Sequence, residues 1–364
     1  VLKQHPNENL RLFVIREPVP ETDWTRPGDA TTALAALLNR ERSGAFLPHQ
    51  WVFSAGFPAL RETQRPSIHN ITPPHPPVYR AFMGNTATLL ITCADRKGLV
   101  ADVSTLLYRH GANITHADQH RDQQAGLFFM RVEWLLEDFD MPAFREAFQP
   151  LAITDRMTWR IEDATRCTRV AIFVSKQLHC LSDLLHRHQS GELDCEIPLI
   201  VSNHPDARPL ADFHRIPFHY TEFRPGAKSE AEANQLRLLT GHRIDLVVLA
   251  RYMQIIPPAL IAPYRNKIIN VHHSFLPAFI GARPYHQAFE RGVKLIGSTS
   301  HYVTEVLDDG PIIEQDVTRI SHRDQIEDLI EKGRDLERVV LSRAVKWHLQ
   351  HRILDYGVKT VVFS

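Results

Sequence analysis

From Thr86 onward the chain alternates apolar runs with polar breaks at spacings that separate strands from helices. TATLLITC (86–93) reads as a strand, Leu99 to Arg109 as a helix ended by Gly111, and Asn113 to Gln119 as a second strand. A polar turn at RDQQAG (121–126), a strand GLFFMRVEW (126–134), a helix near Met141 to Phe148 and a last strand around Thr158 to Ile161 complete the order βαββαβ. That order predicts a ferredoxin-like sandwich, with two helices on one face of a four-stranded antiparallel sheet.

After Arg169 the rhythm changes to strand and helix in turn: VAIFVS (170–175), a helix through Leu178 to His188, a strand Glu196 to Ser202, a helix about Arg208 to His214 and a short strand near Phe218. Ser229 and Glu232 fit a capping box for a helix ending near Leu239. Asp245–Ala250 and Lys267–Val271 are apolar, β-branched runs of the kind found in the centre of a parallel sheet. This half is expected to be a doubly wound, mostly parallel, Rossmann-like α/β domain. Ile326 to Leu349 reads as a helix with a break near Gly333, and VKTVVF as a final strand or extended tail. Residues 1–82 differ: prolines are scattered through them and only Thr31 to Arg42 has a helical pattern. Met83 is read as the natural start, with 1–82 an extension carrying no motif; a genuine but poorly ordered extension is the alternative.

Composition narrows the class. Of 364 residues, 43% are hydrophobic and 23% charged, which fits a folded globular chain. Forty-two basic side chains balance 42 acidic ones, so no global field favours nucleic acid or an anionic membrane. The four cysteines, Cys93, Cys167, Cys180 and Cys195, form no C-x-x-C pair and are expected to be reduced and mostly buried. Membrane-length apolar runs and a signal-peptide pattern are missing from the sequence, which places the protein in the cytoplasm.

Chemistry concentrates between Ala250 and Gln315. Open parallel sheets bind ligands outside the carboxyl ends of their strands. Arg251 and Met253 follow one such end, Asn270 and His272 close the next, and Asp308 lies beyond a strand running through Gly297 to Tyr302, so three strand ends are expected to converge on one edge. Side chains two apart share a strand face, which sends Asn270 and His272 together and His273 away. A polar pair at the tip of KIINV is costly unless it finds partners or a ligand. Singly, each residue has a blander reading: a histidine at a strand end is commonly structural, and an aspartate before Gly-Pro commonly forms a turn. Together with the loop SFLPAFIGARPY they point to a catalytic site.

Two resemblances follow from these residues. Asp95, Lys97 and Gly98 between the first strand and helix, with Asn113-Ile114 opening the second strand, resemble ACT regulatory domains. Asn270-Val271-His272-His273-Ser274 and LDDGP at 307–311 resemble the N-x-H-P-S and D-x-G-P settings of folate-dependent formyltransferase folds. Across Thr86 to the last residue the chain is similar to formyltetrahydrofolate deformylases, and His273 in place of proline agrees with that branch. The resemblance implies an extension (1–82), an ACT-like regulatory domain (83–165) and a formyltransferase-like catalytic domain (166–364). It implies hydrolysis of 10-formyltetrahydrofolate to formate and tetrahydrofolate, supplying formate for purine synthesis and balancing one-carbon pools.

Asn270, His272 and Asp308 are then the catalytic residues, and Met253, Gln254, Ile255, His301 and Gly310 contact substrate. Asp95, Gly98 and Asn113 would bind an amino-acid effector such as methionine or glycine. No cofactor beyond the folate substrate and no metal are expected, and a homo-oligomer is. On this reading Asn270 donates to the developing oxyanion and His272 protonates the departing nitrogen, while Asp308 either orients His272 or deprotonates water. Three other readings compete. Transfer to an amine would want a Gly- and Ser-rich phosphate cradle, but the turn after the first strand of this half is Ser175-Lys176-Gln177-Leu178-His179-Cys180, with no glycine, although Lys176 can still meet a phosphate. A metal hydrolase would use His272, His301 and Asp308, and a non-catalytic sensor would need none of the three.

Overall fold

Period-two alternation is weak in TATLLITC because the strand it forms is covered on both sides. The computed structural model describes residues 85–164, 166–223, 228–277 and 283–364. In it, β1 (Thr86–Ala94), β2 (Asn113–Asp122), β3 (Leu127–Leu135) and β4 (Thr158–Asp163) form an antiparallel sheet in the order β2-β3-β1-β4. Leu89, Ile91, Met130 and Val132 face the helices α1 (Leu99–Arg109) and α2 (Met141–Thr154), whose Val103, Leu107, Phe144 and Phe148 complete that core. Asp140 caps α2 by accepting from the Ala143 amide at 3.0 Å. The helix runs past Phe148 and through Pro150, because continuing it buries Ala152.

The opposite face of this sheet meets the far end of the chain. β12 (Ile353–Tyr356) and β13 (Lys359–Val362) form a hairpin whose Leu354 and Val361, followed by Phe363, pack on Leu90 and Phe129. Arg131 on β3 is buried and donates to the carbonyls of His351 (3.1 Å) and Gln350 (3.2 Å), and Arg160 donates to that of Ile353 (2.9 Å). VKTVVF is therefore a paired strand in a second layer of the first sheet. Alternate residues of β1 thus belong to two different cores.

The second sheet contains β5 (Arg169–Val174), β6 (Glu196–Ser202), β7 (Phe218–Tyr220), β8 (Leu246–Ala250), β9 (Ile268–His272), β10 (Leu295–Tyr302) and β11 (Ile312–Arg319), in the order β11-β10-β9-β8-β5-β6-β7. The five strands from β9 to β7 are parallel, while β10 is antiparallel to β9 and β11 to β10. One face packs on α3 (His179–Gln189), α4 (Arg208–Phe213) and the 24-residue helix that ends the domain. The other packs on α5 (Lys228–Gly241) and α6 (Pro258–Ile261), and α7 (Pro284–Arg291) precedes β10.

Strand order reverses beside β5, which makes the gap between the carboxyl ends of β5 and β8 a switch point. Two local expectations change. Ser229 is the second residue of α5 rather than its cap, and Glu232 pairs with Lys228 at 3.7 Å. The last helix, α8 (Ile326–Leu349), is unbroken at Gly333, where a Cβ would overlap the Tyr285 hydroxyl. That glycine serves close packing of α7 on α8. The helix at 31–42 and the proposed extension 1–82 lie outside the described residues.

Candidate active site

Asn270 lies within β9 and is paired across the ladder with His301 of β10, as His272 is with Thr299. Directly opposed side chains on one sheet face come within contact range. Asn270 Nδ2 is 3.3 Å from His301 Nε2, and His301 Nδ1 lies 2.9 Å from the Tyr302 carbonyl oxygen. Nδ1 is thus engaged with the backbone, which leaves His301 Nε2 facing the Asn270 side chain. Asp308 completes the group, with Oδ2 at 3.3 Å from His272 Nδ1 and Oδ1 at 3.6 Å from His301 Nε2.

The route by which Asp308 arrives differs from the sequence expectation. Because β10 runs antiparallel to β9, its carboxyl end at Tyr302 stands opposite Ile269, away from the edge where His272 ends its strand. Three strand ends do not converge; the loop 303–311 brings Asp308 back alongside the two imidazoles. The turn that does so holds Asp308 at φ 55°, a conformation aspartate tolerates better than most side chains. Contacts from His272 and then His301 hold its carboxyl well below the usual carboxylate range, outweighing partial burial. His272 is 6% exposed, and its Nε2 is buried with no hydrogen-bond partner in the protein. A buried ring nitrogen left over after Nδ1 is oriented is the signature of an atom kept for a ligand.

Gly310 is assigned to substrate contact by the sequence, but it is buried behind the cavity rather than in its lining. A Cβ there would overlap the Tyr302 carbonyl oxygen and come within 3.3 Å of His301 Nδ1. Gly310→Ala is expected to displace His301 and the 303–311 loop together. The measurable result is a fall of about 1–3 kcal/mol in unfolding free energy by denaturant titration, with loss of most activity; an alanine variant with wild-type stability and rate would refute this packing role.

The cavity measures 620 Å³ and is lined on one side by Met253, Gln254, Ile255, Val306 and Leu307, and on the other by Arg251, His273, Tyr285 and Glu337, with Asn270, His272, His301 and Asp308 between them. Met253 and Ile255 are 59% and 65% exposed and form an apolar rim. The Met253 amide donates to Ser175 Oγ at 3.0 Å, and that hydroxyl donates to Asn203 Oδ1 at 2.7 Å, tying the rim across the switch point. The Met253 main-chain donor is therefore already engaged within the protein.

The polar side was not foreseen. Glu337 of α8, 1% exposed, receives His179 Nε2 at 2.6 Å and the Tyr285 hydroxyl at 2.8 Å. Arg251 Nε faces the same carboxylate at 3.3 Å as an ion contact without hydrogen-bond geometry. Burial opposes the charge, yet the His179 hydrogen bond and Arg251 hold the Glu337 carboxyl below its ordinary range. Arg251 also reaches His273 Nδ1 at 2.7 Å, and the His273 ring, expected to point away, lines the same cavity and stacks on His272 with centroids 5.0 Å apart, because the chain leaves the strand after His272. Burial and the neighbouring Arg251 push His273 down to about 4, which keeps it neutral. Nothing local marked Glu337 among the acidic residues of α8; the nearest signal was Gly333, one turn earlier.

His179, Cys180 and Glu337 are the one group of three or more metal-ligand side chains among the described residues, with ligand atoms within 4.8 Å of one another. Their chemistry suits a cation poorly. Burial and then Glu337 push the Cys180 thiol up, keeping it protonated, and Arg251 already supplies the positive charge.

The predicted effector residues are separated. β2 runs in the same direction as β1, because both are antiparallel to β3, so Asn113 starts β2 opposite Leu135, at the end of the sheet where Thr86 begins β1. Asp95 and Gly98 follow the other end of β1, and α1 carries the chain back between them. Asp95 pairs with Arg121 at 2.5 Å, and Gly98 takes φ 92° to open α1.

A family model for ACT domains matches residues 87–133 and one for formyl transferases matches residues 168–345. A formyltetrahydrofolate deformylase of Synechocystis sp. is 55% identical over 281 residues, covering 77% of this chain and 99% of the relative. One of Bacillus subtilis is 49% identical, covering 79% and 96%. Among solved structures, a formyltetrahydrofolate deformylase from Pseudomonas syringae is 50% identical with a TM-score of 0.75, over 79% of this chain and 97% of that one. Glycinamide ribonucleotide transformylase 1 from Symbiobacterium toebii is 27% identical with a TM-score of 0.52, over 54% and 95%.

Proposed function

The chain belongs to the formyltetrahydrofolate deformylase family, and from that premise we propose that it hydrolyses 10-formyltetrahydrofolate to formate and tetrahydrofolate through Asn270, His272 and Asp308. The observation that carries the site assignment is the unpartnered His272 Nε2, buried beside a cavity while Nδ1 is held by Asp308.

Water attacks the formyl carbon as His272 Nε2 takes its proton, and the negative charge that develops on the carbonyl oxygen is met by the Asn270 amide. The imidazolium is stabilised by Asp308 at Nδ1 and returns the proton to the folate nitrogen as the C–N bond breaks. Formic acid leaves as formate, giving its proton to solvent. Asp308 suits the orienting role better than that of base, since a carboxyl held so low is a weak proton acceptor. Each step has a side chain, so neither a metal nor a further cofactor is invoked.

Met253, Gln254 and Ile255 wall the pterin side of the cavity, and His301 supports Asn270 and Asp308. Residues 83–165 act as an amino-acid-responsive unit, 166–364 as the catalytic unit, and the protein works as a cytoplasmic homo-oligomer feeding formate to purine synthesis. Among the described residues no helix is long and apolar enough to cross a membrane. β2 is an edge strand of its sheet, and a second copy placed along it is one way to bring an Asn113 near Asp95 and Gly98. Titration of the full chain with methionine and with glycine tests the effector assignment, and heat from neither would withdraw it.

The decisive assay supplies 10-formyltetrahydrofolate with no amine. Stoichiometric formate and tetrahydrofolate are expected; turnover that begins only when an amine is added would replace this reading with formyl transfer.

A further inference from the structure

His273 is the first residue past β9, and its ring lies against that of His272 with the two planes 25° apart. Both rings line the cavity that also holds Asn270 and Asp308. Their Nδ1 atoms have opposite partners. His272 Nδ1 faces a carboxylate oxygen of Asp308 at 3.3 Å, which can only accept, so the proton sits on Nδ1 and Nε2 keeps a lone pair. His273 Nδ1 faces Arg251 Nη1 at 2.7 Å, and a guanidinium can only donate, so here Nδ1 keeps the lone pair and Nε2 carries the proton. Burial and then Arg251 hold the His273 ring well below its ordinary protonation range, so it stays a neutral donor. Arg251 is itself fixed: it is buried, its Nε faces Glu337 at 3.3 Å, and its backbone takes φ 61°, a strained conformation for a side chain of this kind that persists only where the surroundings impose it.

We propose that His273 is a further catalytic residue, which holds the attacking water by donating from Nε2–H to its oxygen while His272 Nε2 accepts one of its protons. The inference rests on the deformylase reading and adds the group that seats the nucleophile. A water fixed for attack needs one donor and one acceptor, and two neighbouring imidazoles with opposite tautomers supply that pair. One lone pair of the water oxygen accepts from His273, and the other forms the C–O bond to the formyl carbon. The proton released moves to His272 and then to the folate nitrogen as the C–N bond breaks, and the carbonyl π pair becomes the oxyanion that Asn270 meets. His273 neither gains nor loses a proton. The proline that the N-x-H-P-S pattern carries at this position has no side-chain donor to offer.

The test measures formate release by the full chain from 10-formyltetrahydrofolate with no amine present, together with the melting temperature of each variant. His273→Asn keeps an acceptor for Arg251 near the place of Nδ1 and removes the donor at Nε2. Its kcat is expected to fall about 10²-fold with KM within about threefold of wild type. His273→Gln returns an amide N–H to the reach of Nε2 and is expected to recover kcat to within about tenfold of wild type. A merely structural role in holding Arg251 would be served by either amide and would not separate the two. The proposal falls if the Asn variant keeps the wild-type kcat, or if Asn and Gln variants that melt as wild type does lose kcat equally. Should the Asn variant not fold, His273→Phe, which keeps a ring against His272 and offers no donor, takes its place with the same expected loss and the same refuting outcome. Failure of the deformylase reading shows separately, as no formate from wild type.

Discussion

Asn270→Ala is expected to lower kcat for formate release by about 10²- to 10³-fold with KM little changed, the loss that follows removal of one donor to a developing oxyanion. Asn270 sits within a strand whose neighbours Ile269 and Val271 are buried in the core, so its backbone is held while its amide is left on the cavity side. The truncation removes little volume from the core and leaves His301 its Tyr302 contact at 2.9 Å. The steady-state constants then report on the transition state rather than on folding. A variant with unchanged kcat would remove Asn270 from the reaction, and one with raised KM alone would make it a binding residue.

Asp308→Asn is expected to lower kcat by about 10³- to 10⁴-fold, because an amide presents the wrong partner to His272 Nδ1 and no longer stabilises the imidazolium. The carboxylate also meets His301 at 3.6 Å, so one substitution loosens both rings. A fall in kcat with KM little changed fits a group that acts on the transition state through His272. An unchanged kcat would remove Asp308 from the reaction.

Much of this was legible along the chain, for identifiable reasons. Leu99–Arg109 and Glu196–Ser202 were bounded to the residue, because apolar spacing and flanking turn residues agree there. The pairing of Asn270 with His272 followed from strand alternation alone. Strand direction is another matter. Whether β10 runs with or against β9 depends on how the chain returns after α7, and no local pattern records it, so the approach of Asp308 was misjudged although its identity was not. Asn113 was grouped with Asp95 and Gly98 by resemblance, whereas the connection through α1 sets them at opposite ends of the strands. Glu337, His179, Tyr285 and Arg251 come from four distant segments, and their meeting is visible only once the sheet orders them. Gly310 and Gly333 were read as contact and break, yet both mark places where another group leaves no room for a methyl.

The strap of β12 and β13 has a consequence for biosynthesis. Arg160 and its acceptor at Ile353 are separated by 193 positions, so the first sheet emerges from the ribosome long before the layer that shields Leu90 and Phe129 exists. Until then those side chains are exposed to whatever else is nearby, and any attempt to express 83–165 by itself recreates that nascent intermediate as a permanent, adhesive product.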